Sequence, residues 1–231
     1  MSKAAGSIRS QVPCSQPGLI IRVDSLATTL LDACLPARCV LCGARGQRQP
    51  TLDLCVDCEA ELPWLDEGHG HTLAVFRYAP PVDHLVQSLK YSRRLALARV
   101  LGTLAARLPA INVAVADVDA LVPMPLHPGR AAARGFNHSL EIARWLGRIV
   151  RRPLATGLLR RLRDTPAQVG LDAAARRANV AGAFAASRHC RGLRLALIDD
   201  VVTSGASSSE AAAALAANGA TRVSVLAIAR A

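Results

Sequence analysis

The sequence predicts an α/β fold, in which helices flank a mostly parallel sheet and a small four-cysteine module lies near the N-terminus. The first observation is the short apolar run at residues 195–198, which is typical of a buried parallel strand. A small turn and a helix follow it, and the helix is predicted to begin at Glu210 and to stop at Asn218 and Gly219. The second observation is a pair of Cys-x-x-Cys motifs between residues 39 and 58.

Length and composition limit the class of protein. The chain has 231 residues, of which 51% are hydrophobic, and this suffices for one ordinary domain plus a small appendage. No apolar run is long enough to cross a membrane, and the N-terminus has no apolar segment of the secretory type. The seven cysteines are an odd number with metal-type spacing, which favours a reducing compartment. We therefore expect a cytoplasmic protein with no membrane partner.

The net charge of +11 comes almost entirely from arginine, because Lys3 and Lys90 are the only lysines. A basic surface attracts phosphorylated ligands and nucleic acid. Aromatic residues make up only 3% of the chain, which argues against an extended stacking surface for single strands.

Three regions are predicted. Residues 1–18 are interpreted as a disordered tail. Residues 19–66 hold an amphipathic helix at 19–35 and then the four-cysteine module. Residues 72–231 form the main domain, and His69 and His71 fall in the linker before it.

The four-cysteine module has the spacing of a metal site. Each Cys-x-x-Cys makes a tight turn, and twelve residues separate the pair Cys39 and Cys42 from the pair Cys55 and Cys58. Four thiolates complete a tetrahedral zinc site and leave no open position, so a structural Zn²⁺ is predicted. A module this small would need the metal to fold. A redox role and a site that has lost its metal remain alternatives.

The main domain is predicted to alternate strands and helices. The predicted elements are a strand at 73–78, helices at 82–90 and 95–108, a strand at 117–122, a proline-rich loop at 123–128, a basic turn at 134–137, a helix at 139–148, a strand at 154–163, a short helix capped by Asp172, the strand at 195–198 with its helix, and a last strand at 222–229. The last strand is expected to lie beside strand 195–198.

The candidate site follows strand 195–198. Two carboxylates, Asp199 and Asp200, are placed to accept hydrogen bonds from a vicinal diol. The N–H groups of the turn and the positive end of the helix dipole can bind a phosphate. The turn consists of Thr203, Ser204, Gly205, Ala206 and Ser207. An ordinary strand-to-helix turn is the alternative, and no Walker A motif is present.

Basic side chains upstream are candidates for further anion contacts. Lys90 ends a predicted helix, where it either caps the helix dipole or reaches a ligand. Arg130 and Arg134 either clamp phosphate groups bidentately or lie solvated on the surface.

The stretch from Asp199 to Ser207 resembles the PRPP (phosphoribosyl pyrophosphate) motif of type I phosphoribosyltransferases. The resemblance implies the fold of that class, with Asp199 and Asp200 as catalytic residues that hold the ribose. It implies that residues 203–207 wrap the 5′-phosphate, that Lys90 and Arg134 bind the pyrophosphate, and that Mg²⁺ accompanies PRPP. The loop at 123–128 matches the pyrophosphate loop, and the region from 164 matches the hood over the reacting centre.

Further motifs resemble the ComF/GntX family of competence-type phosphoribosyltransferase-like proteins. They are, in order, the cysteine motifs, Leu62-Pro63-Trp64, Lys90-Tyr91, Val122-Pro123-Met124-Pro125-Leu126-His127, Arg134-Gly135-Phe136-Asn137-His138-Ser139, Asp164-Thr165-Pro166-Ala167-Gln168-Val169-Gly170-Leu171, Arg177-Ala178-Asn179-Val180 and the PRPP motif. The resemblance covers residues 36–231 and implies a bacterial protein associated with competence and DNA uptake.

Two functions are compatible with this resemblance. The first is a phosphoribosyltransferase that moves the pentosyl group from PRPP to an acceptor that the sequence does not indicate. The second is a non-catalytic adaptor that uses the zinc module and basic surface to bind single-stranded DNA, a helicase or other uptake machinery, with PRPP as a regulatory ligand or with none.

Overall fold

The computed structural model describes residues 38–44, 48–49, 52–65, 72–165 and 178–231. The predicted tail at 1–18, the helix at 19–35, the histidines of the linker and the helix capped by Asp172 lie outside the described residues. Residues Arg38–Ala231 form one compact unit. The predicted boundary between the cysteine module and the main domain falls on residues that are not described, so it stays a prediction.

The described elements alternate as an α/β fold requires. In chain order they are β1 (Arg48–Gln49), β2 (Leu52–Cys55), α1 (Val56–Ala60), β3 (Thr72–Arg77), α2 (Val82–Tyr91), α3 (Ala96–Arg107), α4 (Pro109–Val115), β4 (Ala120–Pro123), α5 (Pro128–Arg134), α6 (His138–Val150), β5 (Leu159–Arg161), β6 (Phe184–Ala186), a 3₁₀ turn (Arg188–Cys190), β7 (Arg194–Val202), α7 (Ala206–Ala217) and β8 (Arg222–Arg230).

The central sheet has four parallel strands in the order β3-β8-β7-β4. The predicted parallel sheet and the predicted neighbourhood of the last strand and strand β7 are confirmed. Residues 195–200 of β7 are all buried, which is the state that the apolar run predicts for a strand covered on both faces. The strand continues through the acidic pair to Val202, and so it ends later than predicted.

The helices bury the faces that their spacing predicts. In α2 the buried residues are Val82, Leu85, Val86 and Leu89, as the sequence indicates. Helix α4 was not predicted, although a proline at its first position is a typical start signal. No single helix in the described ranges is long and apolar enough to cross a membrane; α3 and α4 together pass on length and composition, but they are bent by 85°.

Some predicted boundaries are wrong, and of the strand predicted at 154–163 only Leu159–Arg161 is a strand. Helix α7 begins at Ala206 rather than Glu210, because Gly205 takes a left-handed φ of 76° and turns the chain directly into the helix. The predicted turn at 134–137 is found at residues 135–137 with Asn137 as the cap of α6, but Arg134 belongs to helix α5, which was not predicted and stops at the left-handed Gly135.

The four-cysteine segment packs on helix α3. Leu52 and Leu54 are buried in the same hydrophobic cluster as that helix. Arg99 pairs with Asp53, and Arg107 donates to both carboxylate oxygens of Glu59 at 2.8 and 2.9 Å. Anything that reshapes the cysteine segment therefore acts on the main core.

Gly102 marks the closest approach of α3 to α6. A Cβ added there would lie 2.8 Å from both the carbonyl oxygen of Ile142 and the Cβ of Trp145, closer than packed atoms allow. We expect Gly102→Ala to lower the free energy of unfolding by about 2 kcal/mol, because the two helices must separate. Urea unfolding measures this, with Gly157→Ala as the control, since nothing lies within 4 Å of a Cβ at Gly157. Equal stability of the two variants would contradict the close packing.

Candidate functional site

A cleft of about 270 Å³ opens beyond the carboxyl ends of β7 and β4. This is the edge at which parallel α/β sheets bind their ligands. The cleft is lined by Lys90, Tyr91, Met124, Pro125, Leu126, Arg130, Arg134, His138, Ser139, Arg161 and the continuous stretch from Asp199 to Ser208. The predicted site residues at 199–200 and 203–207, together with Lys90 and Arg134, thus lie around one space.

The turn between β7 and α7 has the geometry of an anion site. Gly205 is the residue before the helix, and Ser208 donates its hydroxyl to the Gly205 carbonyl at 3.0 Å. The N–H groups of the first helical turn have no partner within a helix, and the helix dipole favours negative charge there. Thr203 and Ser204 are exposed beside them. This end of the cleft can therefore bind a phosphate group.

The two carboxyls of the acidic pair are buried, and their surroundings shift their pKa values in opposite directions. Asp199 and Asp200 are 8% and 5% exposed. Burial, followed by the negative charge of Asp200, raises the pKa of Asp199 well above its ordinary value. Burial also disfavours the charged form of Asp200, but the adjacent His138 and Lys90 outweigh it and lower the pKa of Asp200. The pKa values of the two carboxyls are therefore shifted in opposite directions, and Asp200 is the one that its neighbours hold in the charged form.

Lys90 and His138 contact the same oxygen of Asp200. The ammonium of Lys90 pairs with Oδ2, and Nε2 of His138 lies 3.3 Å from it. Burial would lower the pKa of Lys90, but Asp200 reverses this and raises it. Arg134 donates to the other ring nitrogen of His138 at 2.8 Å. Since arginine only donates, Nδ1 of His138 accepts and Nε2 carries the proton toward Asp200.

The sequence reasoning did not single out His138 or Arg161 as site residues. His138 stands four residues after Arg134, but a helix break separates them, and its partner Asp200 is distant in sequence. Arg161 lies on β5 and donates to the hydroxyl of Thr165, and burial followed by the charge of Arg130 lowers its pKa. The only feature of the sequence that pointed to Arg161 was the cluster of arginines at the end of a predicted strand.

Asn137 fixes the start of α6 at the cleft. Its side-chain oxygen accepts hydrogen bonds from the N–H groups of Ser139 and Leu140 at 3.0 and 3.3 Å, and its amide donates to the Met124 carbonyl at 2.9 Å. Helix α6 is thereby tied to the loop after β4. His127 instead caps α5, where it accepts from the Gly129 N–H at 3.3 Å, and it does not line the cleft.

The raised pKa of Asp199 predicts a pH-dependent stability difference. The folded protein keeps the proton that the unfolded chain loses above about pH 3.9, so this stabilisation is complete below that pH and is lost as the pH rises through the folded-state pKa. Asparagine cannot ionise. We expect Asp199→Asn to gain stability over the wild type progressively above pH 4, and urea unfolding from pH 4 to pH 8 measures it. A difference that stays constant with pH would contradict the assignment.

The four cysteines form a second candidate site. The sulfur atoms of Cys39, Cys42, Cys55 and Cys58 all lie within 4.8 Å of one another. The sulfurs of Cys42 and Cys55 are 3.7 Å apart, and a tetrahedral site with Zn–S bonds of about 2.3 Å needs about 3.8 Å. The donor set therefore fits a tetrahedral, thiolate-binding metal.

The thiols of this cluster differ in acidity. Burial works to raise the pKa of Cys39, but backbone hydrogen bonds at Cys42, Cys55 and Leu41 prevail and lower it to about 6. Burial, followed by hydrogen bonds among the sulfurs, raises the pKa of Cys58. The predicted gathering of the four cysteines is confirmed, and Cys190 is buried elsewhere, against α7.

Comparisons with known proteins show related chains over most of this sequence. The DNA utilization protein YhgH of Salmonella typhimurium (strain LT2) is 32% identical over 209 residues, which are 83% of this chain and 89% of that protein. The protein of the same name from Escherichia coli (strain K12) is 33% identical over 165 residues, covering 68% and 71%. Competence protein F of Haemophilus influenzae is 26% identical over 213 residues, covering 83% and 90%. No protein-family model matches the chain.

Fold and site together define an α/β protein with a four-stranded parallel sheet, a cleft lined by a buried acidic pair and basic side chains, and a four-cysteine cluster toward the N-terminus. Because these relatives match most of its length, the chain belongs to the ComF family.

Proposed function

We propose that the cleft binds PRPP together with Mg²⁺. The observation that carries this proposal is that an acidic pair, a phosphate-type turn and a basic end surround one space. PRPP carries a ribose diol, a 5′-phosphate and a pyrophosphate, and each matches one of these three groups. Its 5′-phosphate is assigned to residues 203–207, and its diol to Asp199 and Asp200.

The pyrophosphate is assigned to the basic end of the cleft. Lys90, Arg130, Arg134 and Arg161 all line it, and guanidinium groups bind phosphate oxygens in a bidentate manner. Lys90 and Arg134 contact Asp200 and His138 respectively, so an arriving anion would compete for both contacts. Ligand binding would in this way release the acidic pair for the ribose.

The acidic pair also fits Mg²⁺, which takes oxygen ligands and is commonly bound by one or two carboxylates plus phosphate oxygens. Oδ2 of Asp200 is buried, and the positive charge of Lys90 already lies against it, so this oxygen is one that favours a cation. Asp199 and Asp200 are the residues that would hold the ion, directly or through water. When bound, Mg²⁺ would supply positive charge to neutralise the pyrophosphate.

A transfer reaction is the chemistry that such a site supports best. A nitrogen of the acceptor forms a bond to the anomeric carbon, the bond from that carbon to the pyrophosphate oxygen breaks, and pyrophosphate leaves with the electron pair. The acceptor nitrogen then loses a proton. The positive side chains at the basic end stabilise the leaving charge, so positioning and electrostatics would carry the catalysis.

We also propose that the four-cysteine cluster binds a structural Zn²⁺ and that the protein acts in the cytoplasm in competence and DNA uptake. The sulfur geometry supports the zinc, and the names of the relatives support the role. A second candidate function, an adaptor that binds DNA or uptake machinery, is favoured by the net charge of +11.

Isothermal titration with PRPP tests the proposal. The wild-type chain should bind PRPP more tightly with Mg²⁺ than without it, and ribose 5-phosphate and pyrophosphate should each compete from their own end of the cleft. An absence of PRPP binding would overturn the proposed function. Consumption of PRPP in the presence of a panel of nucleobases and amines would then separate an enzyme from a non-catalytic adaptor.

A further inference from the structure

A second cleft, of about 320 Å³, adjoins the first at its basic end. It is lined by Lys90, Tyr91, Arg93, Arg130, Ala133 and Arg134, and it shares four of these residues with the first cleft. Its volume is at the lower limit for small-ligand sites, so it suits one compact unit rather than a folded partner. The proposed PRPP assignment uses Lys90, Arg130 and Arg134 but leaves Tyr91 and Arg93 without a role.

The second cleft carries uncompensated positive charge. Lys90 is balanced by Asp200, and Arg130 by Asp164. By contrast, Arg93, its neighbour Arg94 and Arg134 form no ion pair with a carboxylate in the part of the chain that the structure describes. Both Arg93 and Arg94 are exposed. The unmatched charge favours a ligand with phosphate groups.

Tyr91 adds an aromatic surface beside this charge. Its side chain is 72% exposed, which is unusual for a large ring in a chain with seven aromatic residues. The guanidinium of Arg134 lies 5.4 Å from the ring centroid, where it orients the ring by a cation–π contact. An exposed, oriented tyrosine next to arginines is suited to stack a nucleobase.

The backbone holds Arg93 at this cleft. Arg93 has a φ of 53°, in the left-handed region that residues other than glycine rarely adopt. Its guanidinium points toward Gly135, since an added Cβ at Gly135 would lie 3.8 Å from Nη2. The strained turn after α2 thus directs Arg93 toward the end of α5 across the cleft.

We propose that this second cleft binds one nucleotide unit, with its base stacked on Tyr91 and its phosphate on Arg93 and Arg134. The unit is either a free mononucleotide or part of a single strand, because the bases of a duplex are already stacked and paired. One consequence rests on the proposed function. Because the two clefts share Lys90 and Arg134, the nucleotide unit and PRPP would compete for binding. The second cleft would thereby link nucleotide binding to occupancy of the first.

Fluorescence anisotropy with a labelled twelve-nucleotide oligo(dT) tests the site, with a duplex of the same length and unlabelled dTMP as competitors. Tyr91→Ala should raise Kd for oligo(dT) about tenfold, and Tyr91→Phe should keep it within about twofold. Arg93→Gly removes the side chain and relaxes the left-handed backbone, so it should fold and still weaken binding about threefold, with a salt slope smaller by about one. Competition by dTMP identifies a free nucleotide as the ligand, and competition by strands alone identifies a single strand.

Arg148→Ala is the matched control for charge. Arg148 is exposed and lies ten residues along α6 from His138, which is about 15 Å of helix. The proposal is overturned if wild type does not bind either probe, if Tyr91→Ala binds oligo(dT) like wild type, or if Arg148→Ala weakens binding as much as Arg93→Gly.

Titration of Arg93→Gly with PRPP keeps the two proposals apart: unchanged PRPP affinity with weaker oligo(dT) binding supports separate clefts. Failure of PRPP to bind any variant would count against the proposed function alone.

Discussion

Asp200→Asn is expected to abolish PRPP binding and to lower the free energy of unfolding by about 2 kcal/mol. The substitution removes the negative charge that faces both Lys90 and His138. The side chains of Lys90 and Asp200 are only 20% and 7% exposed, so the ammonium would be left largely out of water without its partner. Isothermal titration and urea unfolding at pH 7 measure the two effects.

Asp199→Asn is the matched control for this prediction. It makes the same change of a carboxyl to an amide, but at the carboxyl that burial holds toward its protonated, neutral form. Its Oδ1 can still accept from the Asp200 N–H, a contact of 2.9 Å in the wild type. We expect it to lose PRPP binding without losing stability. Equal destabilisation by the two variants would contradict the division of charge between the two carboxyls.

The stability that Asp200 provides should depend on pH in the opposite sense from that of Asp199. The pKa of Asp200 is lowered in the folded state, so its contribution is present above the unfolded-state pKa of about 3.9 and is lost as the pH falls through the folded-state value. The two adjacent residues therefore act in opposite directions. Such a conflict is typical of a site in which binding has been favoured over stability.

The sequence predicted the parts of this site that are contiguous in the chain. Asp199, Asp200 and the turn at 203–207 follow one strand, and β-strand geometry carries them to the edge of the sheet together. The buried face of α2 was also predictable, since its period matches a helix. In both cases the residues that form the predictive pattern lie within about fifteen positions of one another in the chain.

The contacts across the cleft could not be predicted in the same way. His138 contacts Asp200 because the first turn of α6 lies against the loop after β4. Asn137 holds it there by donating a hydrogen bond to the Met124 carbonyl. Arg161 reaches the cleft from a short strand pair that is separate from the central sheet. These positions depend on how elements pack, which periodicity does not encode.

The start of α7 shows how local propensity misled the prediction. Residues 206–209 are one alanine and three serines, which are typical of a turn. In the structure these serines occupy the first helical turn, and Ser208 donates its hydroxyl to the Gly205 carbonyl one turn back, so its side chain is compatible with the helix. The helix therefore begins directly after the turn that follows the acidic pair, and the positive end of its dipole lies at the site.

Removal of one cysteine is the second substitution with a large expected effect. We expect Cys58→Ser to reduce bound zinc from about one ion per chain to almost none and to lower the free energy of unfolding by roughly 3 kcal/mol. Leu52 and Leu54, which are 1% and 0% exposed, lie beside the cluster in the main core, so the loss should spread beyond the cysteine segment. Elemental analysis and urea unfolding measure the two effects.

Cys190→Ala controls for the loss of a buried thiol. Cys190 lies against α7, where its sulfur is 3.5 Å from the Leu215 carbonyl oxygen, and its removal should leave the zinc content unchanged. A chelator should lower the Tm of the wild type and leave that of Cys58→Ser unaltered, because the variant has no ion to lose. A wild type that contains no zinc but has a Cys39–Cys42 disulfide would instead indicate redox chemistry. A wild type with neither zinc nor this disulfide would indicate a site that has lost its metal. In both cases the cysteine segment would depend on its packing against α3 for stability.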